Sequence, residues 1–187
     1  MQFKVSIPRM EQIDLDKKAY RGVVLRSLIK VSRSAEVQAN RMIREEYNMR
    51  RSDVDKLINL RPASISNLSA VLVVRGKRLP VMLFQPRQTK QGVTIAITRG
   101  TRKLIRHAFL AKMKSSYESV FQRKTKKRLH IKELRTISAA EMFGKQINMV
   151  ILDKFVADKF PGLLEHELQY YLTSGKGFSE NISQAIE

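Results

Sequence analysis

His166 sits between Glu165 and Glu167 in HELQYY, which on a helix could supply a metal ligand and a general base. The zinc-protease pattern needs a second histidine four positions on, and Tyr170 stands there instead, so His166 reads as a surface histidine. His107 and His130 are far from it in sequence and from each other. With no cysteine in the chain, thiolate nucleophiles, thiolate metal ligands and disulfides are all excluded, which fits an intracellular assembly site. Gly92, Gly100 and their neighbours have the spacing of neither a dinucleotide loop nor a P-loop, and no serine lies in GxSxG. Between Arg75 and Arg135 the only acids are Glu118 and Glu133, so a magnesium-binding carboxylate pair would have to draw on other segments. No catalytic residue, metal or cofactor is expected, and an enzyme is the weakest of three readings.

Positive charge is the chemistry this sequence does carry. The formal net charge is +19 at pH 7. Residues 75–135 hold 18 basic and 2 acidic side chains, whereas residues 1–74 hold 14 and 8 and residues 136–187 hold 4 and 7. A uniformly solvated surface would not gather charge in one third of the chain. The residues expected to face a polyanion or a partner are Arg75, Lys77, Arg78, Arg87, Lys90, Arg99, Arg102, Lys103, Arg123, Lys124, Lys126, Lys127 and Arg128. Electrostatic attraction to phosphate, without base readout, suits this composition. There is no tryptophan, and strand alternation directs Phe84, Phe109, Tyr117 and Phe121 mostly into a core, so stacking platforms for bases are poorly supported. A basic sheet surface without a ligand is the competing reading.

These cations need elements to hold them. From Asp16 to about Tyr47, Ala19, Val23, Val24, Leu28, Val31, Ala35, Ala39, Met42 and Ile43 fall on one helical stripe with no proline. Such a helix would be roughly 48 Å long, unless it breaks near Ser32–Ser34. Ser52 to Asp55 has capping-box spacing with Asp in place of Glu or Gln and suggests a short second helix. Ala70–Val74 and Leu79–Phe84 read as strands around a turn at 75–78, with Pro80 marking an edge or a strand start. Val93, Ile95 and Ile97 alternate in a third strand ending at Gly100. Residues 102–134 fit a helix or a hairpin, and the alternation of Phe109, Ala111 and Met113 against Tyr117, Ser119 and Phe121 favours the hairpin, with RKTKKR at its distal loop. Ser138–Glu141 is a capping box opening an amphipathic helix through Phe160, and Pro161 with Gly162 should bend it before Leu163 to Leu172 resume the stripe.

The expected fold is therefore α+β: a small antiparallel sheet packed with a long N-terminal helix and a C-terminal helix bent at a proline. One domain is expected, with a helical arm at 1–62, a basic β-rich core at 63–135, C-terminal helices at 136–172 and a flexible tail at 173–187. The longest strongly apolar run, AVLVV, has five residues, so no membrane span is expected, and the mixed-charge N-terminus does not read as a signal peptide.

The order of RMIREEYNMRRSDVDKLI, LVVRGKRLP, HAFLAKM, VFQRK and FPGLLEHEL resembles the minor tail protein Z family of long-tailed phages and prophages, from about Lys17 to Leu172. The resemblance implies a structural virion protein at the head-proximal end of the tail, assembled in the host cytoplasm. It implies tail completion and head joining around the DNA channel, tail and neck proteins as partners, and a homo-oligomeric, sixfold ring. It brings no active-site residues. Composition alone fits a cellular, non-sequence-specific nucleic-acid-binding protein equally well.

Overall fold

The computed structural model describes residues 17–74, 76–113, 115–125 and 130–174. The chain divides into two compact units, one made of Met1–Gln38, Asn59–Val73 and Met149–Glu187, the other of Ala39–Ile58 and Val74–Asn148. Charge follows this division. The second unit carries 24 basic and 7 acidic side chains, the first 12 and 10. We call them the basic unit and the helical unit.

Helix α1, Lys17–Glu46, runs without a break at Ser32–Ser34 and is about 45 Å long. The stripe read from the sequence is its buried face: Ala19, Val23, Val24, Leu28, Val31, Ala35, Ala39 and Ile43 are buried, and Met42 is half-buried. Ser32 avoids breaking the helix because its hydroxyl donates to the carbonyl of Ile29 within it, at 2.9 Å. In the helical unit α1 meets α4, Gln146–Ser174, whose Leu152, Val156, Phe160 and Leu164 are buried. The Ser27 hydroxyl reaches the carbonyls of Val23 and Leu163, and Lys30 pairs with the buried carboxylate of Glu167. α4 continues through Pro161, whose missing N–H deprives the Ala157 carbonyl of its helical partner. Strands β1, Ile58–Arg61, and β2, Val71–Val74, form a two-stranded sheet of their own.

The basic unit contains three small antiparallel sheets. β3, Arg78–Pro80, pairs with β10, Arg135–Ser138. β4, Arg87–Thr89, β5, Gly92–Ile95, and β6, Lys103–Arg106, form the second sheet, in that order. β7, Ala108–Lys112, β8, Glu118–Arg123, and β9, Ile131–Glu133, form the third. The hairpin reading of residues 109–121 holds, with Phe109 opposite Phe121 and Ala111 opposite Ser119. Val81, Val93, Ile95, Ala108 and Val120 make the core, flanked by Ile97, Ile105, Leu110 and Leu134.

Four local expectations are corrected. β2 and β3 do not pair with each other; β2 pairs with β1 and β3 with β10. Val81–Phe84 is a 3-10 turn rather than a strand. Its three-residue period puts Val81 and Phe84 on one side, so both are buried, whereas a strand would send them to opposite faces. Burying Phe84 contributes on the order of 2–3 kcal/mol of transfer free energy. The second helix, α2, Arg51–Asp55, starts at Arg51 with Arg50 as its cap and no side-chain capping bond. The Asp55 carboxylate instead accepts from the Asn40 amide and lies 3.8 Å from Arg51. Finally, the Ser138–Glu141 capping box is made, but it opens a five-residue helix, α3, Ala139–Phe143, which closes at Gly144 before α4 begins. The tail was expected from Thr173, but α4 includes Thr173 and Ser174, and the rest of that segment, 175–187, lies outside the described residues.

Candidate nucleic-acid and partner interface

All thirteen cations singled out from the sequence belong to the basic unit. Arg75, Lys126, Lys127 and Arg128 lie outside the described residues. The other nine are exposed, and none of them forms an ion pair with a described carboxylate. Neighbours already engage three of the nine. Arg102 donates from Nη2 to the Gln85 carbonyl at 2.8 Å, and the Arg123 guanidinium lies 5.4 Å from the centre of the Phe109 ring. Arg78 acts on Glu141, whose carboxyl is held below its usual range first by the Ser138 amide N–H, then by the Ser138 hydroxyl, with Arg78 adding its charge. Among the described residues Lys77, Arg87, Lys90, Arg99, Lys103 and Lys124 have no such side-chain partner.

The β4–β5–β6 sheet shows how part of this set is held. Registers align Arg87 with Thr94 and Leu104, and Thr89 with Gly92 and Arg106, so Arg87 and Arg106 share the face opposite the buried Val93 and Ile95. Gly92 permits the close approach of β5 to β6. A Cβ there would stand 2.1 Å from the Ile105 carbonyl oxygen, at a φ of +155°. Thr89 Oγ1 and Gln88 Nε2 both donate to the Gly92 carbonyl, at 2.9 and 3.1 Å, closing the Lys90–Gln91 turn. A single residue, His107, links β6 to β7 in the left-handed region at φ 61°. Its amide donates to the Gln91 carbonyl at 3.2 Å. Lys90, Gln91, Arg106 and His107 surround a shallow depression of about 360 Å³. Arg106 and His107 were not singled out from the sequence. Leu104 and Ile105 are adjacent apolar residues and show no strand alternation, so pattern alone left that segment between helix and strand.

On the third sheet one acid is fully employed. The Glu133 carboxylate accepts from the Tyr117 hydroxyl, from Ser119 Oγ at 2.9 Å and from Arg135 Nε at 2.9 Å. Tyr117 was expected in the core but its ring is largely exposed, because its hydroxyl is drawn to Glu133. That bond raises the Tyr117 hydroxyl above its ordinary value. Burial pushes the Glu133 carboxyl up, yet the bonds from Tyr117, Ser119 and Arg135 together outweigh it and leave it below its usual range. A carboxyl depressed in the folded state adds stability above its unfolded value, and that stability is lost as pH falls through the folded value. Glu133→Gln is therefore expected to cost about 1–2 kcal/mol near neutral pH. Denaturant melts of both proteins across acidic pH should show the gap closing as Glu133 becomes protonated.

His166 is exposed, as read, with Nδ1 3.7 Å from Glu167. Among the described residues no group of three or more histidine, aspartate or glutamate side chains could hold a metal ion. No helix among the described residues is long and apolar enough to cross a membrane.

Mixed helices and small sheets here present exposed cations that pair with no described carboxylate. The chain belongs to a phage tail family: the family model described as prophage minor tail protein Z (GPZ) matches residues 4–174 of the 187. That membership makes it a structural component of a phage or prophage tail. No curated protein and no solved structure matches it.

Proposed function

We propose that this protein completes the head-proximal end of the tail, forms a homo-oligomeric ring of six copies, and takes part in joining tail to head around the DNA channel. The observation that carries this reading is the set of exposed, unpaired cations on the basic unit, in a member of a tail family. A closed heterologous interface repeats such a surface around an axis, and a ring of this kind surrounds the passage for the duplex. The basic face approaches phosphate there without reading sequence. Six copies of the whole charge would hold DNA too tightly for rapid passage, so part of the set faces acidic surfaces of neighbouring tail and neck proteins and steers assembly.

Labelled antibody against this chain, imaged on intact particles, should mark the end of the tail nearest the head, and light scattering of purified protein with tail-tube protein should give a six-copy species. Label at the distal tip, or a monomer throughout, would refute the reading.

A further inference from the structure

We propose that the depression bounded by Lys90, Gln91, Arg106 and His107 is a discrete seat for a phosphate of the DNA backbone. The inference rests on the tail-channel reading and names the point on the basic unit where the duplex is gripped.

Three basic side chains, Lys90, Arg106 and His107, line it from two chain segments. Lys90 and Gln91 form the β4–β5 turn, and Arg106 and His107 end β6 and begin the link to β7. Among the described residues no carboxylate pairs with Lys90, Arg106 or His107. The Gln91 carbonyl, which would repel an anion, is already engaged by the His107 amide. The position opposite Arg106 is Gly92, so no side chain at that register position covers the guanidinium. Arginine offers phosphate a planar fork and lysine a mobile point charge, a complementary pair for an anion that arrives at variable angle. His107 holds a left-handed conformation that costs a non-glycine residue energy, and such strain is concentrated at ligand sites.

The surroundings favour nucleic acid over a protein carboxylate. A protein interface draws its affinity from buried apolar anchors inside a polar rim. On the β4–β5–β6 face the exposed large apolar side chain is Leu104, and its neighbours are Arg87, Thr89, Thr94 and Arg106. That is a polar, cationic surface suited to a phosphate backbone.

The test uses the full-length chain and a short labelled duplex of mixed sequence, titrated over a range of salt. The variant Lys90→Ala, Arg106→Ala, His107→Gly removes all three groups. Glycine at 107 keeps the left-handed backbone accessible, so the fold is retained. Duplex affinity should drop at least ~10-fold, and the slope of log affinity against log salt should shrink by about 2–3 units. A control losing the same two formal charges, at the exposed Lys56 and Lys112, should lose less than ~3-fold, because only delocalised attraction changes. Pyrophosphate should compete with duplex on the wild-type chain and not on the site variant. Equal losses in site and control variants would overturn the proposal, as would an unchanged salt slope or wild-type protein that does not bind duplex. Loss of polyglutamate binding with intact duplex binding would reassign the seat to an acidic protein. Antibody position on the particle is read independently. Head-proximal label with no duplex binding sinks the seat alone, and distal label sinks the tail-end reading while the duplex titration still judges the seat.

Discussion

Replacing Lys77, Arg87, Arg99 and Lys103 together by glutamate is expected to cut infectious yield by at least ~100-fold in a complementation assay, with the purified subunit still folded. The four are exposed and free of the side-chain engagements that hold Arg78, Arg102 and Arg123, so each exchange resembles an ordinary surface substitution, within about 0.5 kcal/mol. Their functional effect is of another order. Four charges change sign per subunit, a net change of eight units, and like-charge juxtaposition at an interface costs several kcal/mol. Circular dichroism and thermal melting establish the fold, and plaque counts establish the function. Wild-type yield from the folded variant would show that these cations are only solvated, the competing reading that composition alone leaves open.

Lys30→Met should have the largest effect on stability, about 3 kcal/mol in denaturant unfolding. The Glu167 side chain is only 4% exposed while Lys30 is 51% exposed, so removing the lysine strands a buried carboxylate, whereas removing the carboxylate frees a cation to enter water. Glu167→Leu alone should therefore cost less, and Lys30→Met with Glu167→Leu should recover most of the loss. Equal losses in both single variants would show that the pair acts through packing alone.

How much of this was legible in the sequence depends on how local each cause is. α1 could be read because nothing but its own stripe determines it: every third or fourth residue is apolar, and the same positions are buried. The Ser138–Glu141 box could be read for the same reason, since both partners lie within four residues. The end of that helix was missed because Gly144, which caps α3, sits inside an apolar pattern that continues past it. The 3-10 turn at Val81–Phe84 was missed because its reason is distant. The Val81 amide donates to the Leu134 carbonyl, fifty-three residues on, and Ala96 donates to Phe84. β4 has no apolar residue, so Arg87–Thr89 offered no periodicity to detect. The same contrast holds for the site. Concentrated charge was plain, and so was the exposure of the described cations. That Lys90 would meet Arg106 and His107 followed only from the registers of β5 and β6, which Gly92 makes possible.

Pro161 removes one rung, at the Ala157 carbonyl, from the hydrogen-bond ladder of α4. The turns beyond it cannot borrow full cooperativity from those before it, so their order depends on tethers to α1: the Ser27 hydroxyl on the Leu163 carbonyl and the Lys30 ammonium on Glu167. Those two bonds behave as a latch, and loosening it would let the last three turns fray while the turns before Pro161 stay wound.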